Sequence, residues 1–229
     1  MDRSLIEKTK KVIVSISEMK AIKPYYLVGG TALSMQLHHR LSEDLDFMRW
    51  RKFKDEKMFI DVKEIVAELI ETKHVINSTD FLAKNHVEFY IDDGVKLSFY
   101  APEKREPTIE AISYMNNLKL ASESTIASLK METLMRRSNF RDYYDLYFIL
   151  KEKSIKEIAS IIDNALKYSN HSLKSKNLLG ILVNHEQFTP DAEFKNLEPI
   201  SNITPKEIAE FMNKTVKIAY QNRQNNTIE

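Results

Sequence analysis

The stretch Leu27-Val28-Gly29-Gly30-Thr31-Ala32-Leu33, followed by Arg40-Leu41-Ser42-Glu43-Asp44-Leu45-Asp46-Phe47, decides how this chain is read. The apolar run 25–28 predicts a buried strand, the two glycines a tight turn, and 31–38 a helix. Bare N–H groups point outward where such a helix begins, and they attract phosphate. Asp44 and Asp46 stand either side of Leu45. In an extended strand, alternation puts both carboxylates on one face and turns Leu45 and Phe47 to the core. Two carboxylates that close repel each other unless a cation sits between them. Magnesium suits the place, because it takes one or two carboxylates and completes its shell with substrate phosphates. Singly, each part has a plainer explanation: a polar strand face for the aspartates, an ordinary turn for the glycines, caps for Thr31 and Ser42, a surface salt bridge for Arg40. Their grouping in one ordered set argues for chemistry.

Outward from this stretch, the pattern is a mixed sheet first and a helical half second. Upstream, Ile6, Ile13, Ile16 and Met19 recur at helical spacing, and the helix ends before Pro24. Downstream, 51–57 reads as a charged loop, and Phe59, Val62, Ile65, Val66, Leu69 and Ile70 trace the stripe of a long helix that covers one sheet face. From 74 to 101 the period changes to alternation around the turn Asp92-Asp93-Gly94, which predicts a hairpin or meander. Pro102 and Pro107 bracket a loop, and 118–121 fits a short strand. Helices are expected from Ser122 or Ser124 as N-cap to Arg137, then, after a break at Ser138-Asn139, along the Tyr143, Leu146, Tyr147 and Leu150 stripe, and over 154–168, 173–182 and 205–220, the last with Thr204 as N-cap. The segment 184–202 reads as a long loop and 221–229 as a frayed polar tail.

Composition narrows the classes. The chain has 229 residues and 43% hydrophobic content, enough for a proper core. Lys and Arg total 34 against 33 Asp and Glu, so no broad positive field announces a long nucleic-acid footprint, and any RNA contact is local. The absence of cysteine removes disulfides, thiolate metal sites and cysteine nucleophiles, and fits a reducing cytoplasm. Residues 1–4 do not open an apolar signal core, and no apolar run approaches the roughly 20 residues of a membrane span. The expectation is a soluble protein of the cytoplasm with no membrane partner.

The set Gly29-Gly30-Thr31 with Arg40-x-Ser42-x-Asp44-Leu45-Asp46 resembles the signature of the nucleotidyltransferase superfamily with the polymerase-beta fold, and more narrowly that of the AbiEii/AbiGii-type toxin nucleotidyltransferases. The resemblance implies an α+β fold, a nucleotidyltransferase (polymerase-beta-like) mixed sheet with flanking helices over 1–121, followed by a C-terminal helical half over 122–229 that completes the cleft. It implies magnesium- or manganese-dependent transfer of a nucleotide from an NTP to RNA, with the acceptor end of tRNA foremost. It also implies the toxin half of a toxin–antitoxin or phage-defence pair, with a cognate antitoxin. Under it the metal lies on Asp44 and Asp46. The nucleotide lies on Gly29, Gly30, Thr31, Arg40, Ser42, Lys130 and Asp145.

Lys130 and the segment Arg141-Asp142-Tyr143-Tyr144-Asp145 also resemble that toxin family, in which a lysine and an Arg-Asp-x-x-Asp element complete the active site. The resemblance makes Lys130 a phosphate-binding cation whose loss damages transfer far more than folding, and Asp142 an added catalytic carboxylate. Helical spacing lets Arg141, Asp142 and Asp145 share a face. The plainer account is an i,i+4 salt bridge on a solvated surface, worth a few tenths of a kcal/mol. One departure stands out. Many superfamily members carry a third acid on a neighbouring strand, whereas the counterpart here, Lys96-Leu97-Ser98-Phe99-Tyr100, offers Ser98. Either Asp142 supplies that acid or one metal suffices. Transfer to a small molecule or a protein side chain, and a catalytically idle NTP-binding or interaction module, remain as alternatives. The six histidines, His38, His39, His74, His86, His171 and His185, lack ligand spacing and read as surface or structural.

Overall fold

The computed structural model describes residues 4–53, 55–103, 110–169 and 175–225. Residues 1–3, Pro107, His171, the start of the helix expected from 173 and the last part of the polar tail, 226–229, lie outside them. The chain divides into two compact units, Met1–Ser122 and Glu123–Glu229.

The first unit is a seven-stranded mixed sheet with three helices. In chain order these are α1 (Glu7–Glu18), β1 (Tyr26–Val28), α2 (Gly29–Leu37), β2 (Leu45–Met48), α3 (Val62–Glu71), β3 (Ile76–Ala83), β4 (His86–Ile91), β5 (Val95–Tyr100), β6 (Ala111–Met115) and β7 (Leu118–Ala121). The strands lie in the order β3-β4-β5-β2-β1-β7-β6. β2 runs antiparallel to β1 and parallel to β5, and β1 runs parallel to β7.

Because successive strand residues point to opposite faces, the register builds two unlike surfaces. On one, Leu27, Phe47, Phe99 and Val87 form a continuous cross-strand row, and Leu45, Leu97 and Phe89 a second. All seven are buried, and the rings of Phe47 and Phe99 stack with centroids 5.0 Å apart. On the other, Val28, Asp46, Ser98, Glu88 and Asp80 lie side by side on β1, β2, β5, β4 and β3. α1 is tied to the turns at both ends: Lys8 Nζ donates to the Gly94 carbonyl at 3.1 Å, and the Asn117 N–H to that of Ser17 at 2.9 Å.

Two expectations here need correction. The helix anticipated from Phe59 starts at Val62, because Asp61 caps it by accepting from the Glu64 N–H at 3.0 Å. Phe59 and Ile70 are exposed, and Ile65 and Leu69 alone of that stripe are buried. β6 was not anticipated, since an edge strand that is almost wholly exposed carries little periodic signal.

The second unit comprises α4 (Glu123–Thr133), α5 (Phe140–Leu150), α6 (Ile155–Tyr168), α7 (Ser175–Val183) and α8 (Pro205–Asn225). α4 packs on α5 and α6, and α8 on α5, α6 and α7. Reciprocal caps start two of these helices: Ser154 with Glu157 on α6, and Thr204 with Glu207 on α8. α4 ends at Thr133 rather than Arg137, and α8 extends through the first part of the tail expected to fray. The segment expected as a loop over 184–202 holds two 3-10 turns, His185–Gln187 and Ala192–Leu197. It packs firmly, with Phe188 stacked on Tyr143 at 3.5 Å and Phe194 edge-on to Phe140 at 5.1 Å.

Candidate active site

α2 begins on Gly29 itself, two residues before the expected start, and its N-cap residue Val28 makes no side-chain capping bond. Gly29 has φ +69°, and a Cβ there would stand 2.7 Å from Asp46 Oδ2. At Gly30 a Cβ would collide with the Arg40 guanidinium and lie 3.3 Å from Ser42 Oγ. Close approach therefore requires both glycines: one admits a carboxylate and the other an arginine against the first turn of a helix.

The residues after α2 are clamped from two sides. Arg40 is buried, and its Nη1 donates to the Leu41 carbonyl at 2.8 Å. The Thr31 hydroxyl, also buried, lies 2.8 Å from Ser42 Oγ and donates to the Asp44 carbonyl. From the chain's start, the Ser4 carbonyl accepts from the Ser42 N–H at 2.9 Å, the Ile6 N–H donates to the Ser42 carbonyl at 3.1 Å, and Thr9 Oγ1 donates to the Glu43 carbonyl at 2.6 Å. Thr31 and Ser42 thus hold the backbone that presents the two aspartates.

Asp46 lies on the polar sheet face, and Asp44, one residue before β2, reaches the same lysine that Asp46 attracts. Asp46 is paired across β1 with Val28 and across β5 with Ser98. Asp44 meets Lys96 Nζ at 3.0 Å. Burial works to lower the pKa of Lys96, but the attraction of Asp44, and then of Asp46 and Glu88, outweighs it and holds the ammonium above its ordinary value. Lys96 is thus the site's internal cation. Beyond it on the same face, His86 Nε2 lies 3.1 Å from Ser98 Oγ and 3.7 Å from Glu88 Oε1.

The helical unit gathers the second set of candidates. Lys130 Nζ on α4 lies 2.9 Å from Asp142 Oδ1 and 2.7 Å from Asp145 Oδ2 on α5. All three are buried, the lysine side chain being 8% exposed and the carboxylates 1% and 0%. Arg137 Nε donates to Asp142 Oδ2 at 2.9 Å. Burial raises the pKa of Asp142, but Lys130 and then Arg137 overcome it and hold the carboxyl below its ordinary value. Arg141, on the same helix, donates from its Nε to Asp191 Oδ2 at 2.5 Å. The solvated salt bridge offered as the plainer account is excluded by the burial of both acids.

Residues 13–221 match the family of nucleotidyl transferase AbiEii toxins of type IV toxin–antitoxin systems. The chain belongs to that family. It is a nucleotidyltransferase, as the motifs around Gly29 and Asp46 implied. An uncharacterized protein of Aquifex aeolicus (strain VF5) is 25% identical over 226 residues, which is 96% of this chain and all of its own length. Among solved structures, JHP933 from Helicobacter pylori superposes with a TM-score of 0.56 at 19% identity, covering 98% of this chain and 97% of its own. The nucleotidyltransferase toxin MenT4 from Mycobacterium tuberculosis H37Rv gives 0.51 at 14%, covering 90% and 86%. At such identities these structures establish the shared fold, an α+β polymerase-beta-like sheet with flanking helices.

A divalent metal fits the family site on its donor set. Two carboxylates suit a magnesium ion that completes its shell with phosphate oxygens; among the described residues no group of three or more His, Cys, Asp or Glu gathers to hold a metal ion. The Lys96 ammonium already occupies one carboxylate of that pair as a cation would. Lys96, His86 and Glu88 were not selected as site residues from sequence. Only the β2–β5–β4 pairing brings them onto the sheet face that carries Asp46, and nothing in a local pattern announces which strands pair.

Proposed function

We propose that this AbiEii family member is a magnesium- or manganese-dependent toxin of the cytoplasm that moves a nucleotide from an NTP onto RNA, at the acceptor end of tRNA, and is opposed by a cognate antitoxin. The observation that carries the reading is the Asp46 carboxylate, two residues from Asp44, packed against a helix start whose two glycines admit it and Arg40. Asp44 and Asp46 would hold the metal, which would supply charge neutralisation for the triphosphate and the leaving pyrophosphate. The N–H groups at Gly29, Gly30 and Thr31 bind phosphate oxygens, and the buried Arg40 adds positive potential beneath them. Ser42 and Thr31 keep Asp44 at its position. The family resemblance assigns Lys130, Asp142 and Asp145 to nucleotide binding and transfer. The acceptor hydroxyl oxygen bonds to the α-phosphorus as pyrophosphate departs.

The test is incubation of the chain with each α-labelled NTP, magnesium and total cellular RNA. Label in tRNA-sized RNA, with one base preferred and with loss on Asp46→Asn, supports the reading. Label in a small molecule or a protein keeps the transferase and replaces the acceptor. Absence of label from every fraction overturns it.

A further inference from the structure

The polar sheet face holds more than the two aspartates. Ser98 is the register partner of Asp46 on β5, so it stands one strand spacing, about 4.8 Å, from the carboxylate-bearing strand. Glu88 is the register partner of Ser98 on β4. The side chains make a line: Asp46, then Ser98, whose Oγ meets His86 Nε2 at 3.1 Å, then Glu88, whose Oε1 lies 3.7 Å from that same nitrogen. A serine hydroxyl is a poor final base, yet it accepts one proton while donating its own. A neutral imidazole is a good one.

We propose that Ser98 and His86 form the route by which the acceptor hydroxyl loses its proton, with Ser98 touching the acceptor and His86 acting through it. This rests on the reading of Asp44 and Asp46 as the metal and triphosphate site. The acceptor oxygen bonds to the α-phosphorus, and the bond from that phosphorus to the bridging oxygen breaks. Pyrophosphate leaves with the electron pair. The acceptor proton passes to Ser98 Oγ as the Ser98 proton passes to His86 Nε2, and Glu88 stabilises the imidazolium until solvent takes the proton.

The surroundings of His86 favour this use. Glu88 on its own strand and Lys96, Ser98 and Tyr100 on β5 face it, and its register partner on β3, Ala83, brings no charge. Burial, opposed by Glu88 and assisted by Lys96, keeps the pKa of the ring below its ordinary value, so it is neutral and ready to accept at pH 7.

The experiment measures transfer from α-labelled NTP to total tRNA by the full chain as a function of pH. His86→Gln is expected to lower kcat by about 100-fold, the modest end of general-base effects. It should leave the KM for NTP unchanged and erase the rise in rate across the acidic limb. Ser98→Asp placed in the His86→Gln background restores rate, because a carboxylate beside Asp46 takes the proton directly. Without NTP, nitrogen chemical shifts in the 15N-histidine-labelled chain should show an unprotonated His86 Nε2 at pH 7 that moves on Ser98→Ala. A protonated Nε2 at that pH, or an unaltered kcat and pH profile in a folded His86→Gln chain, overturns the proposal. The failures separate. A wild type that labels nothing, or Asp46→Asn at full rate, removes the underlying reading and the relay with it. A wild type that is active, dead at Asp46→Asn and indifferent to His86→Gln removes the relay alone.

Discussion

The two units each gather lysine against aspartate, and they do so on opposite terms. In the sheet unit, Asp44 and Lys96 keep side-chain exposures of 33% and 26%, and the pair lies on a face of polar residues. In the helical unit, Lys130, Asp142 and Asp145 are sealed between α4 and α5. Water screens the first pair, so it exchanges partners at little cost. The second is a desolvated network in which each charge is tolerated only because the others are present. A lysine that resembles a phosphate-binding cation is therefore also a structural member of its unit. The expectation that losing Lys130 spares the fold does not survive its burial.

The largest effect tests that contrast on stability. Lys130→Met leaves two buried carboxylates facing each other and should cost about 3–5 kcal/mol in urea unfolding, whereas Lys96→Met should cost less than about 1 kcal/mol. Equal costs would erase the distinction. Lys130→Arg should recover only part of the loss, because the planar fork does not fit where a compact ammonium meets two oxygens at 2.9 and 2.7 Å.

On activity the contrast points the other way. Asp46→Asn should reduce transfer by about 100- to 1,000-fold while leaving the thermal midpoint unchanged or slightly raised, since it relieves repulsion with Asp44. In cells, expression of the wild-type chain should slow growth and Asp44→Ala should relieve it. Growth equally slow with both chains would point to a cause other than catalysis.

Gly29→Ala sharpens the comparison at the glycine turn. A residue with a Cβ must hold φ +69° and displace the Asp46 carboxylate from 2.7 Å, at a cost of about 1–3 kcal/mol. Chemical unfolding measures that cost, and NTP affinity should fall with it. Gly94→Ala, where nothing lies within 4 Å of a Cβ, shares the positive φ without the collision and serves as the control.

The smallest effect is on acid stability. The folded pKa of Asp142 is held below the ordinary value of 3.8 by Lys130 and Arg137 against the opposing effect of burial. Its contribution is therefore complete above 3.8 and is lost as pH falls through the lower folded value. Urea unfolding at a series of acid pH values should show a shallower fall for Asp142→Asn than for the wild type.

Much of the fold was legible locally. The change from helical to alternating period marked α1, α2, β2 and the β3–β5 meander, and Thr204 with Pro205 marked the start of α8. The ordered set from Gly29 to Asp46 was legible because turn, helix start and strand are neighbours in sequence, and the resemblance it carries was confirmed by the family match over 13–221. Phe59 and β6 were misread where exposure broke the link between hydrophobicity and burial.

The sequence by itself determined what short range governs: the period of each element, the caps, and the alternation that points Asp46 one way and Leu45 and Phe47 the other. Tertiary structure alone decided which strands are neighbours and which charges are dry. Placing β5 beside β2 brings Lys96 onto Asp44 and Ser98 opposite Asp46, and the next strand, β4, then brings His86 onto Ser98. Packing α4 against α5 turns what spacing allowed as a surface ion pair into a buried group of three charges. Strand order and desolvation are set by the free energy of the whole sheet and bundle, to which residues far apart in the chain contribute together, so no window of sequence contains them.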